Sequence, residues 1–103
     1  MNYLLIVFTT ISNKYCAEEI ARKLIKDKLA ACVSIKEISS FYLWDENIQN
    51  DNEYEITIKS KPEKLNNLIK FLKLEIGYEI PQIIYNKFES EKSYYEWVEK
   101  SMN

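Results

Sequence analysis

The first apolar segment of the chain predicts a buried strand followed by an amphipathic helix. Residues 3–10, YLLIVFTT, are rich in β-branched and aromatic side chains and apolar on both alternating faces, which is typical of a central strand covered on both sides. Ser12 or Asn13 can then cap a helix. The apolar positions that follow repeat at helical spacing: Ala17, Ile20, Ala21, Leu24 and Ile25. We therefore predict strand 1 and helix 1 in this order.

The segment KLAACVSIKEISSFYLW, residues 28–44, changes the alternation of its apolar residues halfway. The first half places Ala31, Val33 and Ile35 on one face, and the second half continues on the other with Ile38, Ser40, Tyr42 and Trp44. A β-bulge adds one residue to a strand and would return the apolar side chains to the same face. We therefore predict a long, bent strand 2 with a bulge near Lys36 and Glu37.

A polar loop and a third strand follow. The sequence DENIQNDN, residues 45–52, is rich in turn-forming residues, and EYEITIKS, residues 53–60, alternates cleanly between polar and apolar positions. The apolar side of strand 3 carries Tyr54, Ile56 and Ile58. Strands 2 and 3 are thus expected to form a long antiparallel hairpin.

The C-terminal third predicts helix, strand and helix. Pro62 suits a first helical turn, and apolar residues recur at helical spacing up to Gly77, the single glycine of the chain, which predicts a helix end. Pro81 prevents helix continuation, QIIYNKFE favours strand 4, and a final amphipathic helix is expected with Ser90 as its cap and Glu91 in its first turn.

The resulting order, β-α-β-β-α-β-α, predicts an α+β fold of the ferredoxin-like kind, with a four-stranded antiparallel sheet and two helices on one face. Because strand 1 is apolar on both faces, the second sheet face also needs a cover. We expect helix 3 or another copy of the chain to supply part of it. At 103 residues we expect residues 1–103 to form a single domain.

Composition narrows the possible functions. The chain is 47% apolar and 29% charged with a net charge of −2, and its charges are interspersed, so neither nucleic acid binding nor membrane insertion is expected. It contains no histidine, which removes the usual general base and the commonest transition-metal ligand. With two cysteines and no recognisable targeting signal, free thiols in a reducing cytoplasm are expected.

Four segments of the chain carry a resemblance through their order and spacing: ARKLIKDKLAACVSI from Ala21, SSFYLW from Ser39, EYEITIKSK from Glu53 and GYEIPQI from Gly77. Together they resemble the CutA family of divalent-cation tolerance proteins. The resemblance implies a small cytosolic homotrimer, similar in architecture to PII signalling proteins, whose long hairpins pair between subunits. It implies a link to tolerance of divalent cations, chiefly copper, and binding of metal ions. It implies no enzymatic activity, and no cofactor is expected to be required for folding.

The chain departs from the family pattern at three places. In GYEIPQI, Ile76 and Gly77 stand where the family has histidine and proline, and Gln82 replaces an acidic residue. Both changes remove metal-binding donors. Glu46 replaces a turn glycine of the hairpin, so a left-handed conformation is expected at Asn47 or elsewhere.

Cys32 and Glu79 are the candidate metal ligands. A thiolate at Cys32 could hold Cu(I), and Glu79 could supply a hard oxygen donor, but a free cysteine in a strand beside two alanines is usually a small buried apolar residue, and this structural interpretation of Cys32 is favoured. Cys16 near the start of helix 1 has the same two interpretations. Since the sequence has no CxxC motif, a closed site within one chain is not expected, and a metal would need weak oxygen ligands or several subunits.

The candidate residues of an intersubunit cleft are Tyr42, Trp44, Glu53, Lys59 and Tyr78. Large amphipathic aromatic residues can stack on a planar ligand, but they are also typical interface anchors, and the interface role is favoured for Tyr42 and Trp44. Glu53 could repeat around a threefold axis and collect carboxylates, or could pair with a lysine such as Lys59. An alternative function therefore stays open: a PII-like signalling or scaffold module whose cleft binds a small molecule or a protein partner. No catalytic residues are predicted, since no nucleophile–histidine pair or phosphate-binding loop is present.

Overall fold

One antiparallel sheet and three α-helices make up the computed structural model, which describes all residues 1–103. In chain order the elements are β1 (Tyr3–Ile11), α1 (Lys14–Lys26), β2 (Cys32–Trp44), β3 (Asn47–Ser60), a 3-10 turn (Pro62–Lys64), α2 (Leu65–Ile76), β4 (Ile84–Glu89) and α3 (Lys92–Ser101). The strands lie in the order β2-β3-β1-β4 and each neighbouring pair is antiparallel. The predicted α+β ferredoxin-like order is therefore confirmed.

Local polar groups set the ends of α1 and α3. The Asn13 side chain accepts a hydrogen bond of 2.9 Å from the Cys16 amide, so Asn13 rather than Ser12 caps α1. At α3 the predicted cap at Ser90 is wrong. The Glu91 carboxylate caps the helix by accepting hydrogen bonds from the Ser93 and Tyr94 amides at 2.8 and 3.0 Å. Glu91, which the sequence predicted inside the first turn, instead precedes the helix, and its side chain is long enough to reach the free backbone amides.

Backbone conformation sets the start and the end of α2. Pro62 opens a 3-10 turn, where its fixed φ and missing N–H carry no penalty, and α2 itself begins at Leu65. Gly77 ends the helix with φ 72°, a left-handed conformation that glycine adopts without steric cost. The predicted stop at Gly77 is confirmed.

The β2–β3 hairpin is regular along its whole length. Pairing runs without interruption from Cys32–Lys59 to Trp44–Asn47, and Lys36 lies opposite Glu55. The predicted bulge near Lys36 and Glu37 is therefore wrong. No extra residue is inserted, and the apolar side chains simply change from one face of the hairpin to the other.

The hairpin closes in a two-residue turn. Asp45 and Glu46 have φ values of 50° and 65°, and positive φ at both positions is what a type I′ turn requires. The Asn47 side-chain amide donates a 3.1 Å hydrogen bond to the Asp45 carbonyl. The expected loop over residues 45–52 is wrong, because β3 begins at Asn47. The left-handed conformation falls not on Asn47 but on Asp45 and Glu46, which is the alternative that the sequence left open.

Two clusters of buried side chains cover the two faces of the sheet. The larger joins one face to α1 and α2 through Leu5, Val7, Ile11, Ala17, Ile20, Leu24, Ala30, Ile56, Ile58, Leu68, Leu72 and Ile76. On the other face, Leu4 packs with Val98 of α3 and with Met102, which follows that helix. Helix 3 therefore covers part of the second face, as predicted, whereas Ile25 of the predicted stripe is 43% exposed.

The hairpin extends beyond the rest of the sheet. β1 pairs with β3 only as far as Ile11–Tyr54, so residues 38–53, the distal hairpin, have no third strand beside them. The molecule measures 46 × 24 × 22 Å. Its radius of gyration is 14.6 Å, against about 13 Å expected for a compact domain of this size. None of the helices is long and apolar enough to cross a bilayer.

Candidate functional site

A cleft of about 810 Å³ separates the distal hairpin from the loop that joins α2 to β4. Its walls combine aromatic, amide and carboxylate side chains: Thr10, Ser40, Phe41, Tyr42, Trp44, Gln49, Glu53, Tyr78, Glu79, Ile80 and Gln82. The hairpin supplies one wall, the α2–β4 loop supplies the other, and Thr10 comes from the end of β1. The site therefore lies where the protruding hairpin leaves the body of the protein.

The α2–β4 wall is held in place by a tyrosine. The Tyr78 hydroxyl accepts a 3.0 Å hydrogen bond from the Ser12 amide and donates one of 3.0 Å to Ser12 Oγ. Gly77 turns the chain immediately before it. Tyr78 thus ties the loop to the segment between β1 and α1, which positions Glu79 and Ile80 at the cleft.

Hydrogen bonds between β2 and β3 order the hairpin wall. Ser40 Oγ donates to Glu53 Oε2 at 2.9 Å, and the Tyr42 hydroxyl donates to the Asp51 carboxylate. The second bond raises the pKa of Tyr42, because loss of the proton would remove the bond and place a phenolate beside a carboxylate. The Tyr42 hydroxyl thereby connects β2 to β3 across the hairpin.

Five of the predicted site residues line this cleft: Tyr42, Trp44, Glu53, Tyr78 and Glu79. Cys32 and Lys59 do not. They are paired with each other near the opposite end of the hairpin, and Lys59 lies beside Ile6 of β1. Four residues of extended strand, about 13 Å, separate Ile6 from Thr10 in the cleft. The sequence had suggested Cys32 and Glu79 as ligands of a metal, and the fold sets them at different ends of the sheet.

Sequence reasoning did not identify Thr10, Phe41, Gln49 and Ile80 as cleft residues. Gln49 was assigned to a loop, and only the regular pairing of the hairpin brings it opposite Tyr42. Thr9 and Thr10 interrupt the apolar run of β1 near its end, and this was the one available signal. The register between β1 and β3 then sets Thr10 opposite Glu55, two residues from Glu53.

Donor groups for a metal are sparse within one chain. No group of three or more His, Cys, Asp or Glu side chains is arranged to hold an ion. Both cysteines are free thiols, with Cys16 exposed and Cys32 half-buried. The cleft contributes two carboxylates, Glu53 and Glu79. A tight metal site would therefore need donors from more than one chain.

Comparisons with known proteins agree over nearly the whole chain. The profile of the CutA1 divalent ion tolerance protein family matches residues 5–101. The Divalent-cation tolerance protein CutA of Thermotoga maritima is 34% identical over 100 residues, which cover 96% of this chain and 99% of that protein. Protein CutA 1, chloroplastic, of rice is 32% identical over 99 residues, covering 94% of this chain and 56% of the rice protein, so the chain spans little more than half of that relative.

Solved structures show the same architecture. The structure of CutA from Synechococcus elongatus superimposes with a TM-score of 0.94 and 29% identity, over 100% of this chain and 93% of that one. The agreement includes the long hairpin that forms one wall of the cleft, since the whole chain is covered.

Proposed function

The chain belongs to the CutA1 divalent ion tolerance protein family, and we propose that it contributes to tolerance of divalent metal ions, copper in particular, through weak binding shared between subunits of a homotrimer. The observation that carries this proposal is the family match over residues 5–101. The two carboxylates of the cleft support it, since carboxylate oxygens are common ligands of divalent cations.

The proposed homotrimer rests on the apolar surface of the distal hairpin. Phe41, Leu43 and Ile48 are largely exposed there, together with Tyr42 and Trp44. Contiguous exposed apolar side chains of this size are typical of protein–protein interfaces. A threefold assembly would also repeat Glu53 and Glu79 three times, which compensates for the few donors of each chain.

Calorimetric titration with Cu(II), Zn(II) and, under reducing conditions, Cu(I) tests metal binding. We expect Glu79→Gln to weaken binding of the divalent ions and Cys32→Ser to weaken binding of Cu(I). Glu96→Gln, at an exposed position on α3, and Cys16→Ser are the matched controls. Binding of all three ions that is no tighter than to a scrambled peptide of the same composition would refute direct metal binding and leave the fold assignment intact.

Light scattering over a dilution series tests the assembly. A trimer mass at micromolar concentration is the expected result. A folded monomer at that concentration would contradict the homotrimer and the role of Tyr42 and Trp44 as interface anchors.

We further propose that the protein acts without catalysing a reaction and that it works in the cytoplasm. The first proposal is supported by the family's description as a tolerance protein and by the absence of histidine, the usual general base, from the sequence. The second follows from the two free cysteines, which suit a reducing compartment.

A second candidate function is a PII-like module whose cleft binds a small molecule. The aromatic composition of the cleft favours it, since pockets for organic ligands combine apolar walls with a few polar groups. A thermal-shift screen of metal ions against metabolites and nucleotides separates the two functions, because a ligand that binds the folded state raises its melting temperature. A response to metal ions alone would count against this candidate.

A further inference from the structure

We propose that the cleft between the distal hairpin and the α2–β4 loop binds an organic cation, a protonated amine carried on an apolar body. This inference names the ligand class for the small-molecule candidate above and rests on it. Three features of the cleft support the inference: its charge, its aromatic walls and one hydroxyl in its lining.

The charge of the cleft is negative and uncompensated. Glu53 and Glu79 are the charged residues among its walls, which contain no lysine or arginine. The chain forms four ion pairs, Arg22–Glu19, Lys23–Glu75, Lys36–Glu55 and Lys61–Glu99, and none of them uses a cleft carboxylate. A ligand that brings a positive charge would therefore find two carboxylates free to pair with it.

The walls suit a cation with an organic body. Phe41, Tyr42, Trp44 and Tyr78 present aromatic rings to the same cleft. A ring face attracts a cation through its quadrupole, and tryptophan and tyrosine do so most strongly. The same rings can bury the apolar surface of an organic ligand away from water, whereas a hydrated metal ion has no apolar surface to bury. The combination discriminates between an organic cation and an inorganic one.

A hydroxyl adds a directional contact. Thr10 lines the cleft at the end of β1 and is 9% exposed as a residue. A threonine hydroxyl oxygen can accept hydrogen bonds. An ammonium N–H seated between the two walls would donate to the Thr10 hydroxyl oxygen.

A fluorescence titration of the Trp97→Phe variant tests the inference. The chain has two tryptophans, so this variant leaves Trp44 in the cleft as the single reporter, while phenylalanine keeps the ring that stacks on Tyr94. The probes are 2-phenylethylammonium and its neutral counterpart 2-phenylethanol, at about 0.15 M salt to screen unspecific attraction. We expect saturable binding of the amine and binding of the alcohol that is at least about threefold weaker.

Matched variants locate the contact. Glu53→Gln and Glu79→Gln, each in the Trp97→Phe background, should weaken amine binding by about two- to fivefold, since exposed ion pairs have this strength. Thr10→Val should weaken it as well, whereas Glu96→Gln on α3 removes the same charge outside the cleft and should leave it unchanged. Circular dichroism confirms that each variant is folded.

Equal binding of amine and alcohol would overturn the inference, as would equal weakening by Glu96→Gln and Glu53→Gln. A parallel titration with Zn²⁺ separates it from metal binding. A response to Zn²⁺ without a response to the amine refutes the organic cation and leaves the metal proposal standing, whereas the converse supports the organic cation and counts against the metal.

Discussion

The two halves of the β2–β3 hairpin both carry large apolar side chains, but in opposite environments. In the half next to β1, Ile56 and Ile58 are fully buried, whereas Ile48 in the distal hairpin is 76% exposed on the same strand. The difference arises because β1 ends at Ile11, opposite Tyr54, and neither a third strand nor a helix continues beyond that point. Apolar residues in a strand therefore do not by themselves show whether their side chains are buried within the chain, because burial depends on where the neighbouring elements end.

The distal half carries the cleft as well as the exposed apolar surface. Tyr42 and Trp44 belong to both, since they line the cleft and are partly exposed on the hairpin. The half next to β1 contributes buried side chains that stabilise the fold, and the distal half contributes the exposed side chains that line the cleft. Substitutions matched between the two halves can test this division.

The largest expected effect comes from Ile56→Ala in the half next to β1. Removing a fully buried side chain that packs between Val7, Ile58 and the helices should lower the free energy of unfolding by about 2–5 kcal/mol, measured by chemical denaturation. Ile48→Ala removes the same atoms from the distal half and is the control. If both substitutions lower the free energy of unfolding equally, whatever the protein concentration, the division between the two halves is contradicted. If the loss caused by Ile48→Ala grows with protein concentration, Ile48 lies in a subunit contact.

Trp44→Ser should weaken the proposed trimer by about 30-fold or more, because a large aromatic anchor at an interface contributes about 2 kcal/mol or more. Sedimentation velocity over a dilution series measures the change. Trp97→Ser is the matched control, since Trp97 on α3 is 48% exposed against 58% for Trp44. If the Trp97 variant dissociates as readily as the Trp44 variant, the contact does not lie on the distal hairpin.

Two positions with left-handed backbone should respond in opposite directions. Glu46→Gly should stabilise the hairpin turn by up to about 1 kcal/mol, because φ 65° is unfavourable for a residue with a Cβ and an Asp-Gly pair favours this turn. Gly77→Ala at φ 72° should cost about 1 kcal/mol although no atom lies within 4 Å of the new methyl group. Denaturation measures both, and hydrogen exchange should place the Glu46→Gly gain in the distal hairpin. A gain in stability from both substitutions would show that the left-handed backbone conformation does not determine their effects.

The smallest effect concerns the titration of Tyr42. Its pKa is raised in the folded state by the hydrogen bond to Asp51, so the stabilisation that this bond provides is present below the unfolded tyrosine pKa and is lost as the pH rises through the folded value. Asp51→Asn should lower the pKa of Tyr42 toward its ordinary value, as observed by ultraviolet difference titration with Tyr42→Phe as the blank. The raised pKa of Tyr95, caused chiefly by the Glu99 carboxylate, should not change. An unchanged Tyr42 titration would mean that the bond to Asp51 does not form in solution.

Helix and strand positions were accessible from the sequence where a local rule decides them. The stop at Gly77 needs only a residue that tolerates positive φ, and the apolar spacing from Ala17 to Leu24 needs only the helical period. The cap of α3 was missed because Ser90 is the commoner capping residue, whereas the carboxylate of Glu91 reaches the free amides. The bulge was wrongly inferred because alternation was assumed to follow one buried face.

For the cleft, the sequence identified Tyr42, Trp44, Glu53, Tyr78 and Glu79 through their chemistry and the family resemblance. It could not identify Thr10 and Gln49, because their position depends on strand pairing over long sequence separations. It also suggested Cys32 and Lys59 as site residues, and the pairing sets these two against each other outside the cleft. A sequence gives the type of each side chain, but it does not show which side chains the fold brings together at one site.

The sequence by itself determined the elements, their order and the chemical groups available, since these depend on local periodicity, turn residues and composition. Only the tertiary structure decided that the hairpin extends beyond the end of β1. It also decided that the α2–β4 loop, held to Ser12 by Tyr78, lies opposite the hairpin across a cleft with acidic and aromatic side chains. The physical reason is that the register between strands and the packing of a loop are set by contacts between residues far apart in the chain, for which no local pattern exists.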